Sequence, residues 1–369
     1  MSTFITIEAL VHKLESEYDI GSVLETEAIP LDRLRQGLAE RQEKQALFYK
    51  ITAAARAARY CLKPHRKSLG ELDISLQCQL MAEGEAISEL PIPRVHSTKA
   101  GRLYFEMGGL YWSLYDYIEA DPPYCWFKKD WDARTTYAAG VALSNLHLFL
   151  KESTDPAIAG TEPICRLVEE SGSQLDSILP DLPDGFRRSL DRFQTTTPLP
   201  QLTDYGDILL ESLDTSVERV LAQSRDGDWE QLVHGDYHPG NLLFSRRQLQ
   251  GIIDFEYVHF EDPLFDLGYA ATMFCVERGE ELSAVQLDVH LLNALLTGYG
   301  IVSPSERINR LLPAYMLIGS ILQLQWLMDA YGETAESHRD LFTNLIKSQV
   351  YTTKMLAERR AFVTPPLEL

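Results

Sequence analysis

The stretch that most constrains this 369-residue chain is 231–268, QLVHGDYHPGNLLFSRRQLQGIIDFEYVHFEDPLFDLG. Short apolar runs alternate there with turn formers. Gly235 and the Pro239-Gly240 pair break the backbone, while LLF (242–244) and GIID (251–254) read as strands. The polar link SRRQLQ joins them as a hairpin. A hairpin returns its second strand beside the start of the first, so the pattern predicts Asp254 next to Asn241, with Asp236 one turn earlier. A carboxylate beside an amide oxygen is a donor set for a hard cation; Mg2+ takes one or two carboxylates and leaves the rest of its octahedron to phosphate oxygens and water. Asp236 is then placed to accept a proton from an attacking hydroxyl. Asp and Asn favour turns on their own account, but turn chemistry does not require all three in this order.

The surrounding chain divides in two. Residues 1–118 predict an N-lobe: an opening helix IEALVHKLESEY, strands at 46–52 and 58–65, a helix from Gly70 to about Ser88 closed by Pro91 and Pro93, and strands at 103–105 and 112–118. Residues 119–369 predict a mainly helical C-lobe, with apolar helical runs at 137–150, 208–223 and 315–327. The fold class expected is α+β, a small mixed lobe followed by a larger helical one.

Composition narrows the partners. Thirty-four basic against 54 acidic residues give a net charge of −20, which repels nucleic acid and anionic membranes and tolerates a cationic small molecule. No apolar run reaches the roughly 18 residues of a membrane span. Glu8, His12 and Glu15 stand where a signal peptide needs apolar residues, so a cytoplasmic protein is expected. The five cysteines form no CxxC pair, and are expected as buried free thiols rather than a zinc site or disulfide framework.

A base carboxylate, an amide five positions on, and a metal carboxylate followed by Phe are also the parts of the protein-kinase site. The series HGDYHPGN…IIDFE…DPLFDLG resembles the aminoglycoside phosphotransferase and choline kinase-like family, small-molecule kinases with a protein-kinase-like bilobal fold. The resemblance is strongest over about 230–270 and extends weakly through RYCLKPHR, LPIPRV, LYDYIEA and Leu146-His147. It implies Asp236 as base, Asn241 and Asp254 as Mg2+ ligands, Asp266 bracing the loop from below, and His234 and His238 as loop-positioning residues. Lys63 resembles the small-lobe lysine that grips the α- and β-phosphates of ATP; it lies in an acid-free stretch, 51–70, with Arg56, Arg59, Arg66 and Lys67. A charged edge strand is the other reading of that stretch. SLYDYIEAD (113–121) resembles the hinge whose backbone, at Asp116, Tyr117 and Ile118, meets adenine. Two departures stand out. The helix position where the family carries a lysine-anchoring Glu holds Ser75, with Glu71 or Asp73 as substitutes, and the loop RQGLAERQEKQ has the single glycine Gly37.

The resemblance implies ATP- and Mg2+-dependent transfer of the γ-phosphate to a hydroxyl of an amino alcohol, hydroxy amino acid, sugar or aminoglycoside. The general layout resembles the homoserine kinase-like branch more than the resistance enzymes. Tyr315, Trp326, Asp329 and Tyr331 offer aromatics beside an acid for a cationic acceptor; Glu261 and Asp262 could contact it as well, with helix capping as their other reading. Helical spacing of Tyr315, Gly319, Leu322 and Trp326 favours core packing over acceptor contact. The absent helix Glu and glycine-poor loop leave open a pseudokinase-like nucleotide-binding protein without turnover. A Ser/Thr protein kinase is the third class, opposed by the lack of HRD, APE and an activation segment.

Overall fold

The computed structural model describes residues 6–29, 48–54, 58–65, 70–87, 90–121, 131–154, 163–224, 229–279, 281–334 and 336–358. Thr6 opens helix α1 (Ile7–Glu17) by accepting the Ala9 N–H at 3.2 Å, which satisfies one of the first-turn donors. Leu10 and Leu14, four apart, turn one face of α1 onto a five-stranded antiparallel sheet. Its strands are β1 (Val23–Ala28), β2 (Tyr49–Ala53) and β3 (Arg59–Pro64), then, after helix α2 (Glu71–Glu85), β4 (Phe105–Met107) and β5 (Leu110–Asp116); their order is β1-β2-β3-β5-β4.

The two-residue period of a strand decides where chemistry can sit. Tyr49, Ile51, Tyr60, Leu62, Trp112 and Leu114 pack with α1. Cys61 and Lys63 therefore point to the opposite face, and Lys63 pairs in register with Ser113. Slipping β3 by one residue would bury Lys63 among the leucines and expose Leu62. β1 is not anticipated in the sequence, because VLETEA is a half-exposed edge strand with few apolar residues. The last two strands lie at 105–107 and 110–116 rather than 103–105 and 112–118, because Gly108 and Gly109 (φ 64° and 73°) form a tight two-residue hairpin turn. The loop containing Gly37, together with Arg56, Arg66, Lys67 and Cys125, lies outside the described residues.

The rest is mainly helical: α3 (Ala133–Thr154), α4 (Pro163–Ser171), α5 (Leu182–Thr196) and α6 (Pro200–Ser224) come first. The strand pair β6 (Gln231–Val233) and β9 (His259–Glu261) encloses the hairpin β7 (Leu242–Ser245) and β8 (Gln248–Ile252). Helix α7 (Leu264–Cys275), the short pair β10 (Val276–Arg278) and β11 (Val285–Leu287), and helices α8 (Val289–Gly298), α9 (Glu306–Glu333) and α10 (Arg339–Glu358) complete the order. Every residue of α7 is buried. Helix α9 covers it, with a Cβ on Gly268 reaching to 2.6 Å from Tyr315 Cβ. By length and composition the Glu306–Gly332 stretch of α9 would pass for a membrane span, contrary to expectation, yet 83% of its apolar window is buried inside the protein.

Helices α3 and α8 approach through paired glycines. A Cβ on Gly140 would lie 2.2 Å from the Leu295 carbonyl oxygen, and one on Gly298 would lie 2.2 Å from that of Tyr137. Backbone cannot retreat as a flexible side chain can. Gly140→Ala is therefore expected to lower unfolding free energy by about 1–3 kcal/mol, the usual cost of overpacking, read from the urea midpoint. An unchanged midpoint would mean that the two helices are not this closely packed.

Candidate active site

The loop leaving β6 is shaped by backbone demands. Gly235 has φ +78°, and a Cβ there would lie 2.0 Å from the Tyr257 carbonyl oxygen, so no other residue fits. Asp266, on α7 and fully buried, holds this turn from beneath. One carboxylate oxygen accepts the His234 N–H at 2.7 Å and His147 Nε2 at 3.0 Å; the other accepts the Gly235 N–H at 2.9 Å. His147 is steadied through Nδ1 by the Tyr299 hydroxyl at 2.7 Å. Burial pushes the Asp266 carboxyl up, but the hydrogen bond from His147 and the His234 N–H outweigh it and hold the group below its ordinary range.

His234 links this loop to the metal-side loop. Its Nε2–H donates to the Ile253 carbonyl at 3.1 Å, and its Nδ1 accepts the Asp236 N–H at 3.3 Å. Complete burial lowers its pKa, so the ring stays neutral and acts as a strut. Tyr237 ties the same loop to α3, its hydroxyl donating to the Ala139 carbonyl at 2.8 Å.

The side chains meet above this frame. Asn241 Nδ2 donates to Asp236 twice, at 2.9 Å each to the backbone oxygen and to Oδ2. Asn241 Oδ1 is buried and has no hydrogen-bond partner. The Asn241 carbonyl accepts the Ile253 N–H at 3.0 Å, which places Asp254 beside it. The chain leaves β8 at Ile252 and Asp254 adopts φ +71°, a strained setting for a non-glycine residue. The expected link is shorter than SRRQLQ: only Arg246 and Arg247 form the turn, both with positive φ, stapled by the Arg246 N–H to Asp121 Oδ2 at 2.8 Å and by Arg247 to Asp132 at 3.0 Å. An orphaned amide oxygen, on a residue whose backbone is bonded to the one just before Asp254, is the type of donor a hard cation such as Mg2+ takes.

Lys63 crosses from the sheet to this loop. Its Nζ lies 2.7 Å from Asp254 Oδ1 and 2.8 Å from Glu256 Oε1. Burial pulls the ammonium down, but the two carboxylates outweigh it and keep it charged. The anticipated partners on α2 are engaged elsewhere: Glu71 accepts from Tyr104 at 2.9 Å, and Asp73 accepts the Gly70 N–H at 2.8 Å. Ser75 sits 3.1 Å from the same Tyr104 hydroxyl. Of the hinge residues, the Asp116 and Tyr117 N–H groups donate to the Arg94 and Arg59 carbonyls, at 2.9 and 3.0 Å. Ile118 follows them, and its side chain lies over Gly251 of β8.

Sequence reasoning missed Glu256 and Tyr269. Tyr269, on α7, is directed at the Asp236 carboxylate and at Gln323; burial and then Asp236 push its hydroxyl well above the ordinary range, so it remains a donor. His238 faces Asp236 from the other side, Nε2 to Oδ2 at 3.5 Å, and its ring packs edge-on to Tyr269. The DLG-Y continuation was the one available signal for Tyr269. Among the acceptor candidates on α9, the packing reading holds for Tyr315. Tyr315 is fully buried against Glu261, Asp329 accepts from Ser189 at 3.1 Å, and Tyr331 packs edge-on to Phe193. Glu261 and Asp262 are buried too: Ser177 and Tyr315 donate to Glu261, while Asp262 caps α7 and pairs with Arg307. Trp326 and Asp329 are exposed and Tyr331 is half-buried.

The model of the phosphotransferase enzyme family APH matches residues 37–301. One curated relative is a homoserine kinase of Phenylobacterium zucineum, 27% identical over 163 residues, 42% of this chain and 49% of that protein. The chain thus spans about half that relative's length. A second homoserine kinase, from Nitrobacter winogradskyi, is 22% identical over 280 residues, 74% of this chain and 71% of its own. Among solved structures, a microcompartment-associated aminopropanol kinase shares the fold with a TM-score of 0.62 at 16% identity, covering 95% and 97% of the two chains. An amicoumacin kinase solved with AMP-PNP and Ca2+ gives 0.60 at 14% identity, covering 94% and 93%. The fold is thus the protein-kinase-like bilobal one.

Burial raises the Glu261 pKa from 4.5 to about 7 despite its hydrogen bonds. The folded state then binds a proton that the unfolded state releases, so Glu261 lowers stability as pH rises from about 4.5 to about 7. Glu261→Gln lacks this loss. Urea unfolding at a series of pH values is expected to show the variant gaining on wild type across that window, by up to about 3 kcal/mol; a constant difference would exclude a raised Glu261 pKa.

Proposed function

The chain belongs to the phosphotransferase enzyme family, and on that premise we propose that it transfers the γ-phosphoryl group of ATP, with Mg2+, to a hydroxyl of a small amino-bearing molecule. The observation that carries this reading is the convergence of Asp236, Asn241 and Asp254 on one loop frame, with Asn241 Oδ1 left unpaired and Lys63 reaching over from the sheet.

Each residue has a physical task. Asp236, held by Asn241 and flanked by His238 and Tyr269, orients the acceptor hydroxyl and takes its proton. The acceptor oxygen bonds to the γ-phosphorus as the bridging P–O bond breaks, and the electron pair leaves on ADP. Lys63 supports the α- and β-phosphates as a point charge, and the backbone near Ile118 meets the adenine. Asn241 and Asp254 would hold Mg2+, which when bound would neutralise the charge that develops on the phosphates. The work is positioning and electrostatics, so a rigid loop matters more than a reactive side chain. Homoserine heads the acceptor list because both curated relatives are homoserine kinases; amino alcohols follow.

ADP release should be measured with Mg2+ over homoserine, aminopropanol, ethanolamine, choline, sugars and aminoglycosides. Acceptor-dependent release is expected, and Asp236→Asn should cut it on the order of 10²–10⁴-fold while leaving the melting temperature in place. Full turnover in that variant would remove Asp236 from the base role. ATP that shifts the melting temperature without turnover over a broad panel would favour a binding protein.

A further inference from the structure

Lys63 is sandwiched between two carboxylates that cannot both keep it. Asp254 and Glu256 lie at 2.7 and 2.8 Å, and all three side chains are largely buried, 12%, 16% and 5% exposed for Lys63, Asp254 and Glu256. A buried ammonium needs an opposite charge, and removing one is costly. In the reading proposed above, on which this step rests, Asp254 turns to Mg2+ in the loaded enzyme. A divalent ion takes the larger share of that carboxylate's charge, leaving Lys63 to the phosphates and to whatever else anchors it. Helix α2 supplies nothing: Glu71 is bonded to Tyr104, Asp73 to its own helix start, and position 75 is a serine.

We propose that Glu256 is the positioning residue that anchors Lys63 when metal and nucleotide are bound, the task a carboxylate on α2 would otherwise perform. The turn after β8 favours this. Phe255 is buried against His234, fixing the backbone just before Glu256. His65 lies 3.9 Å from Glu256, buried and neutral, so it is Lys63 and not His65 that offers Glu256 a positive charge. Metal-side and lysine-side groups thus come from one stretch, with Asp254 facing the ion and Glu256 the ammonium. The apparent loss of the helix Glu is then a transfer of its job from the N-lobe to the C-lobe.

The test is a double-mutant cycle read by binding, which needs no acceptor. AMP-PNP affinity is measured by calorimetry at saturating Mg2+, and again while titrating Mg2+, for wild type, Glu256→Gln, Lys63→Ala and the double variant. Glu256→Gln is expected to weaken binding about tenfold, Lys63→Ala at least as much, and the double variant no more than about twofold beyond Lys63→Ala, the signature of a coupled pair. The Mg2+ concentration for half-saturation should stay where it is in wild type. Glu256→Asp, which keeps the charge, should recover part of the loss and serves if the Gln variant fails to fold. Effects that multiply, or a raised Mg2+ requirement that persists without Lys63, would overturn the anchor and make Glu256 an independent or metal-side group. Wild-type protein that binds no nucleotide would overturn the phosphotransferase reading itself.

Discussion

The site depends first on the Asp266 carboxylate. Two consecutive backbone N–H groups, those of His234 and Gly235, point down into a region with no water-exposed surface, and both must be satisfied. A single buried anion beneath the turn does this, and the His147 ring and Tyr299 hydroxyl balance that anion in turn. With the turn pinned, Asp236 and Asn241 project upward at fixed separation. Because Asp266 sits on the wholly buried helix α7, the turn inherits the rigidity of the core.

The second constraint is electrostatic and joins the two halves of the molecule. Asp254 is held in a left-handed backbone setting that costs an ordinary residue about 1–3 kcal/mol. It lies against Lys63, which arrives from β3 on the face that strand periodicity assigns it. Strain, positive charge and paired carboxylates thus gather at one point of contact between sheet and helical body. In the function proposed above, a metal ion bound at Asp254 would act on this point.

Much of this was legible in the chain. The hairpin, the order Asp236, Asn241, Asp254, the helices at 71–85 and 133–154, and the bracing role of Asp266 follow from local pattern and from one specific motif. Strand β1 was not, because an exposed edge strand carries no apolar alternation to read. The acidic and aromatic residues of α9 were open to two readings. Tyr315 and Asp329 look the same in sequence whether they face a ligand or a neighbouring helix; burial against α7 decides for packing at Tyr315, while Asp329 stays exposed and takes the Ser189 hydroxyl of α5.

By itself the sequence determined the order of the candidate residues along the chain and which faces they take, because hydrogen-bonding demands and the two periodicities of regular structure act over a few residues. Only the tertiary structure decided their partners. Lys63 meets Glu256, 193 positions later, rather than Glu71, eight positions later, and Asp236 meets Tyr269, since such pairings depend on how the sheet, the catalytic loop and helix α7 dock, which no local pattern records.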